Sequence, residues 1–344
     1  MKSASTVYLV TRAHGLQQHL LKSDRIIQLL RLKNLGEIYD FLLKTEYSKE
    51  LSLIPAEELD AYQLEKIFYQ KLSQRLYFLV QITSGKTKEA LEHYCRRIEV
   101  ENLKRITRSI HAKERINEDR LLPVPRKYQT INFPALLQSQ TVKEMISLLR
   151  ETEYEELAKT VDLYEQFNNP VIIEAEADRI YYELLWEKLK KIPDKKAVKD
   201  LIGTEVDLKN LQNIMSMKYI KAQPEFLKQT TIDVYHKLSK SLLQKTADSS
   251  YETIPELVSW PKYVELTRNA VDFMDKGMAS EAESTFSRYL YSYTEATMLR
   301  NPNSLAYVFA YLYLCSREAR NLTTIATGKQ LRLEEEKIQS LLFI

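Results

Sequence analysis

A glycine followed by a lysine and a threonine can cradle a phosphate, so Ser84-Gly85-Lys86-Thr87 is the first stretch to weigh for chemistry. Such a loop needs a further glycine five positions before the Gly-Lys pair and a strand in front of it. Val80 stands at the glycine position and a long helical pattern precedes the tetrapeptide, so it reads as a helix-to-helix turn. Gly328-Lys329 fails in the same way, with Thr323 at the glycine position. His14 and His19 are five apart, which misses the shared i,i+4 face of helical metal ligands. His93, His111 and His236 stand in no zinc spacing and beside no nucleophile motif. The run Glu174, Glu176, Asp178, Glu183 and Glu187 carries enough carboxylates for a metal site or an acid–base pair. Arg179 and Lys188 interleave with it at helical spacing, and it reads as a solvated, salt-bridged face, as does Glu334 to Lys337. No catalytic, cofactor-binding or metal-binding residue is assigned.

The elements that would position a site carry a stronger signal. One phrase recurs three times: E-V-E-N-L-K-R-I from Glu99 to Ile106, D-L-K-N-L-Q-N-I from Asp207 to Ile214, and E-A-R-N-L-T-T-I from Glu318 to Ile325. Each copy has an acid, Asn-Leu three residues on, and Ile three after the Leu. The asparagines Asn102, Asn210 and Asn321 are 108 and 111 residues apart. A second landmark keeps step. L-L-K-T-E-Y ends at Tyr47 and L-R-E-T-E-Y at Tyr154, while V-S-W-P-K-Y ends at Tyr263 with the Thr-Glu pair lost. A fixed period of this kind marks a repeated structural unit. The boundaries expected are 1–120, 121–228 and 229–344.

Acid and asparagine are i,i+3 neighbours on one helix face, and Leu103, Leu211 and Leu322 with their isoleucines make a second face. The apolar pair is expected in the core. The amide is expected to bond loose backbone of a neighbouring loop or helix end, and the acid to hold an Arg or Lys. A structural role is favoured over partner contact, because buried polar groups recurring in related units satisfy local backbone.

The chain reads as all-α. Six glycines and ten prolines punctuate 344 residues, long stretches are rich in helix formers, and hairpin turn pairs such as Asn-Gly are absent. Expected long helices are Leu64 to Thr83, Lys88 to Arg108, Val171 to Leu189, Lys195 to Met217, Glu281 to Leu299 and Ser304 to Thr327. Arg115 to Pro134 and Lys245 to Pro261 read as ordered connections with some helix. Fifty basic and 47 acidic residues leave a net charge of +3, which argues against a nucleic-acid field. Cys95 and Cys315 read as core thiols. Met1 to His14 lacks a signal-peptide core, and the longest apolar run, Leu305 to Cys315, is eleven residues, about half a membrane span. It reads as a buried helix centre in a soluble protein. Tyr289, Tyr291, Tyr293, Tyr307, Tyr311 and Tyr313 crowd the third unit, and an interface and a wide core explain them equally well.

Three helical units, each closing on acid-x-x-Asn-Leu-x-x-Ile, resemble the C subunit of archaeal-type ATP synthases and the similar d subunit of vacuolar-type ATPases. The opening Tyr8-x-x-x-Arg12 with Leu20-Leu21, the T-E-Y landmarks and the closing Ile338-x-x-Leu341 also fit. The resemblance implies three similar helical bundles arranged as a funnel with pseudo-three-fold symmetry. It implies one copy in a hetero-oligomeric complex, peripheral on the cytoplasmic face of the membrane. Its partners would be the central-stalk shaft subunits and the membrane proteolipid rotor ring. Such a protein performs no chemistry, needs no cofactor, and transmits torque between ATP turnover and proton or sodium flow. The shaft contact is expected on polar inward faces of the long helices and the ring contact on loops, with Lys86, Lys88, Asp194, Lys195 and Lys196 as positional candidates. The alternative is a cytosolic helical-repeat adaptor that binds proteins; an α-helical enzyme has no supporting motif.

Overall fold

The computed structural model describes residues 4–55, 59–222, 227 and 230–344, with side chains from Thr6 onward. Every regular element among the described residues is a helix, as the composition predicts. The expected boundary between residues 228 and 229 lies outside the described residues. The long helices are Ala61–Gln81, Val171–Leu189, Lys195–Tyr219, Ala279–Arg300 and Leu305–Gln330. Two of them start on side-chain caps: Asp60 accepts from the Gln63 N–H at 2.7 Å, and Ser304 from the Ala306 N–H at 3.1 Å.

The chain divides into two compact units, each packed mainly on itself. The first holds residues 1–85, 193–201 and 272–344. Its axis is the Leu305–Gln330 helix, packed against Ala61–Gln81, Ala279–Arg300 and Ala4–Gln17. Every side chain from Leu305 to Cys315 is buried. A helix apolar all round belongs in a core, and here it is one. Near its end, a Cβ on Gly328 would meet Ile338 at 2.6 Å, so glycine admits the short Glu335–Ser340 helix.

The second unit holds residues 86–192 and 202–271. The Val171–Leu189 helix packs against Arg97–His111. One expectation is corrected. Lys88 to Arg108 is two helices, Gly85–Cys95 and Arg97–His111. At the break the Arg96 N–H bonds the His93 carbonyl, an i→i−3 bond of 3.0 Å, and the Arg96 side chain reaches Glu153. A turn of this tighter kind re-aims a helix without proline or glycine, so no punctuation marks it in the sequence.

Candidate functional site: three buried clasps

The repeated acid and asparagine are buried in all three copies. Glu99, Asp207, Asn102 and Asn210 are at most 1% exposed, and Glu318 and Asn321 at most 4%. Leu103, Leu211 and Leu322 lie in the core with Ile106, Ile214 and Ile325. Each asparagine grips one downstream residue by both backbone groups. Asn102 donates to the Leu122 carbonyl at 2.9 Å and accepts from its N–H at 2.7 Å. Asn210 holds Ile232 at 3.0 and 2.8 Å. Asn321 holds Phe343 at 3.3 and 2.9 Å. This is the two-bond exchange of a paired β residue, with the side-chain amide in place of a strand. Only an amide side chain supplies donor and acceptor together in this way.

The acid lies one helical turn earlier and collects converging donors. Glu99 accepts from the Thr130 N–H at 2.7 Å and its hydroxyl at 2.8 Å. Asp207 accepts from the Lys237 N–H at 2.9 Å and the Tyr263 hydroxyl at 3.2 Å. Glu318 accepts from the Leu21 N–H, the Tyr47 hydroxyl at 2.6 Å and Arg75 at 2.7 Å. Among the described residues only Glu318 accepts a hydrogen bond from a cationic side chain, where a cation was expected each time; Glu99 and Asp207 accept from loop N–H groups, with Arg96 and His236 nearby. Burial pushes the Glu99 carboxyl up, and the Thr130 bonds and Arg96 pull it partly back.

The second landmark joins the first. Tyr47, Tyr154 and Tyr263 are at most 1% exposed. Tyr47 and Tyr263 bond the acid of the preceding copy, counting Glu318 as preceding Tyr47. Burial, followed by the nearby charges of Glu153 and Glu99, raises Tyr154 well above the usual phenol range. In the two complete T-E-Y copies the threonine hydroxyl donates to a carbonyl three residues back, Leu42 or Leu149, at 2.6 Å. The glutamate pairs with an arginine: Glu46 with Arg75, Glu153 with Arg96. For Arg75, burial opposes the charge and Glu318 more than offsets it.

The repeat extends past the phrase. Eleven residues beyond each asparagine stand Lys113, Lys221 and Arg332, with φ of 57°, 57° and 54°. At each, an N–H one residue further on bonds a carbonyl five back at 2.9 Å: Glu114 to Ser109, Ala222 to Met217, Leu333 to Gly328. This is the left-handed Schellman helix ending. A basic residue there also complements the negative helix C-terminus.

The positional candidates fall elsewhere. Lys86 and Lys88 lie in the first turn of the Gly85–Cys95 helix, paired with Glu89 at 2.8 Å and Glu92 at 3.8 Å. Lys195 and Lys196 open the Lys195–Tyr219 helix, and Asp194 precedes it at φ 55°. So only Asp194 sits in a connection; Gly85 at φ 61° starts its helix at once. Lys86, Asp194, Lys195 and Lys196 are exposed.

The acidic run is ion-paired, as expected, but not wholly solvated. Asp178 lies between Lys104 at 2.6 Å and Lys209 at 2.8 Å, and Glu176 is buried against Arg179. Burial opposes the Asp178 charge, yet the two lysines outweigh it and hold the carboxyl at about 2. The buried His93 bonds the Tyr181 carbonyl at 2.9 Å, and desolvation lowers it to about 4. Among the described residues no group of His, Cys, Asp and Glu has metal-site geometry. The crowded tyrosines divide: Tyr307, Tyr311 and Tyr313 are core, Tyr289, Tyr291 and Tyr293 half-buried. Among the described residues no helix is long and apolar enough to cross a membrane.

Comparison with known proteins gives this geometry a context. The family model of the ATP synthase (C/AC39) subunit matches residues 9–341. The chain is 26% identical to the C subunit of the A-type ATP synthase of Methanosarcina mazei, over 99% of this chain and 94% of that one. It is 24% identical to the corresponding protein of Archaeoglobus fulgidus, over 98% and 95%. With that of Pyrococcus horikoshii it shares 25% identity over 97% and 89%.

Proposed function

Because this chain belongs to the ATP synthase (C/AC39) subunit family, we propose that it is the non-catalytic central-rotor subunit of an A/V-type rotary ATPase or ATP synthase. It couples the central-stalk shaft to the membrane proteolipid ring, one copy per complex, from the cytoplasmic face, during proton- or sodium-linked ATP synthesis or hydrolysis. The observation that carries this reading is the family match over nearly the whole chain, residues 9–341. The use of the repeated polar residues supports it. Each motif asparagine and acid is committed to holding backbone, Tyr or Arg groups of the same chain. A part that transmits torque needs stiffness, and buried, doubly bonded loops supply it.

The chain is three copies of one helical unit, arranged as a funnel about a pseudo-three-fold axis. The clasps support this: the acid of one copy holds the start of the next, and Glu318 of the last copy holds Leu21, Tyr47 and Arg75 of the first. Lys86, Lys88, Asp194, Lys195 and Lys196 are contact residues for the shaft or the ring. A pull-down with the shaft subunits tests the assignment. Capture of the chain is expected, weakened at least severalfold by charge reversal at Lys195 and Lys196. No capture of shaft or ring components would leave a free adaptor as the better reading.

A further inference from the structure

Residues 188–199 read K-L-K-K-I-P-D-K-K-A-V-K, six lysines against one acid, Asp194. Their charge of +5 exceeds the net +3 of the whole chain, so the remainder is slightly acidic. They span the end of the Val171–Leu189 helix, a turn through Pro193 and Asp194, and the opening of the Lys195–Tyr219 helix. The larger apolar side chains go inside: Leu189, Ile192 and Val198 are buried. The lysines stay outside: Lys190, Lys191, Lys195 and Lys196 are exposed, and Lys188 and Lys199 are half-buried. The flanking acids offset part of this charge. Glu187 pairs with Lys190, whereas Asp200 accepts the Tyr293 hydroxyl. The start of the Gly85–Cys95 helix adds two more cations. Lys88 pairs with Glu92, and Lys86 bonds the exposed Glu89 at 2.8 Å, with Lys188 and Lys191 close enough to add to that pull.

The residue types indicate what such a turn meets. Every cation among the twelve residues is a lysine. A lysine ammonium is a hydrated point charge on a flexible stem, whereas arginine supplies the planar fork suited to paired bonds with carboxylates and nucleic acids. No aromatic residue stands among the twelve for a base to stack on. The apolar residues hold the turn to the body of the protein, so contact is made by charge, without an inserted wedge. A shallow attraction to a charged plane uses this arrangement fully, and anionic phospholipid headgroups form such a plane. We propose that the lysine turn 188–196 docks on the anionic phospholipid headgroups of a membrane surface. The inference rests on the charge of this turn and not on the rotor assignment. In a rotor it gives the chain a hold on lipid beside its protein contacts.

Sedimentation of the full chain with sucrose-loaded vesicles tests the proposal. Vesicles of equal parts phosphatidylglycerol and phosphatidylcholine are expected to carry the chain down, and vesicles of phosphatidylcholine alone are not. Binding should fall steeply as salt rises from about 0.05 to about 0.5 M, because screening shortens the reach of exposed charges. Each lysine near an anionic surface is worth about fivefold in binding, so Lys190→Gln with Lys191→Gln should weaken it by about twentyfold. Lys159→Gln with Lys276→Gln removes the same charge from exposed lysines elsewhere. That pair should weaken binding by less than about threefold, since charges beyond a screening length contribute little. Both pairs leave Lys195 and Lys196 intact and no ATPase component is present, so failure here is distinct from failure of shaft capture. Equal binding to both kinds of vesicle, binding to neither, or an equal loss in the two double variants overturns the proposal. Retention on polyglutamate without a preference for anionic vesicles also overturns it, and assigns the turn to an acidic protein face.

Discussion

An asparagine side chain is a peptide group on a short tether, and three of them do here what a neighbouring strand does in a sheet. Removing one leaves a buried N–H and a buried carbonyl unpaired, at about 1–3 kcal/mol each. Asn321→Ala is therefore expected to lower the stability of the chain by about 2–4 kcal/mol, read as a shifted urea midpoint with unchanged slope. A loss below about 0.5 kcal/mol would mean that Phe343 is held by packing alone. The gripping residues are legible in the sequence because they recur in phase, and phase is all a lone sequence needs to separate a motif from background. The gripped ones are not. Leu122, Ile232 and Phe343 share only an apolar side chain, at distances of 20, 22 and 22 residues from their asparagines. Arg75 is equally invisible, since it approaches Glu318 from another helix, 243 residues away in the chain.

At the scale of elements, close approach decides which glycines matter. A Cβ on Gly203 would stand 2.5 Å from the His236 ring, whereas one on Gly15, inside the Ala4–Gln17 helix, meets nothing within 4 Å. Gly203→Ala is expected to cost about 1–3 kcal/mol by overpacking. Gly15→Ala should gain about 0.5–1 kcal/mol from helix propensity. Thermal unfolding of the two variants should move in opposite directions; a shift of the same sign in both would refute this packing of His236 on its helix. The long helices can be read closely where the plan of the first repeat recurs, Val171–Leu189 to the residue, because Pro193 and Asp194 mark the break after it. Helix ends are harder. Lys113, Lys221 and Arg332 close their helices in the left-handed conformation that usually advertises itself with glycine, and Arg96 breaks one with no breaker at all.

At the scale of the whole molecule, each clasp spends its asparagine on backbone and its acid on backbone, hydroxyl or arginine donors of the same chain. In the third copy the T-E-Y acid is replaced by Lys262, and Asp207, which bonds that copy's Tyr263, makes no ion pair among the described residues. The three copies of the phrase thus keep the backbone grip and vary the charge around it. If the chain joins shaft to ring, removing it should separate two activities that the intact machine links. The decisive measurement is ATP-driven ion uptake by membrane vesicles carrying the rotary complex, with and without this protein, alongside ATP hydrolysis by the same vesicles. Hydrolysis that persists while ion uptake is lost, and uptake restored on adding the chain back, is the expected result. Ion uptake that is unaffected by the chain's absence would contradict a coupling role.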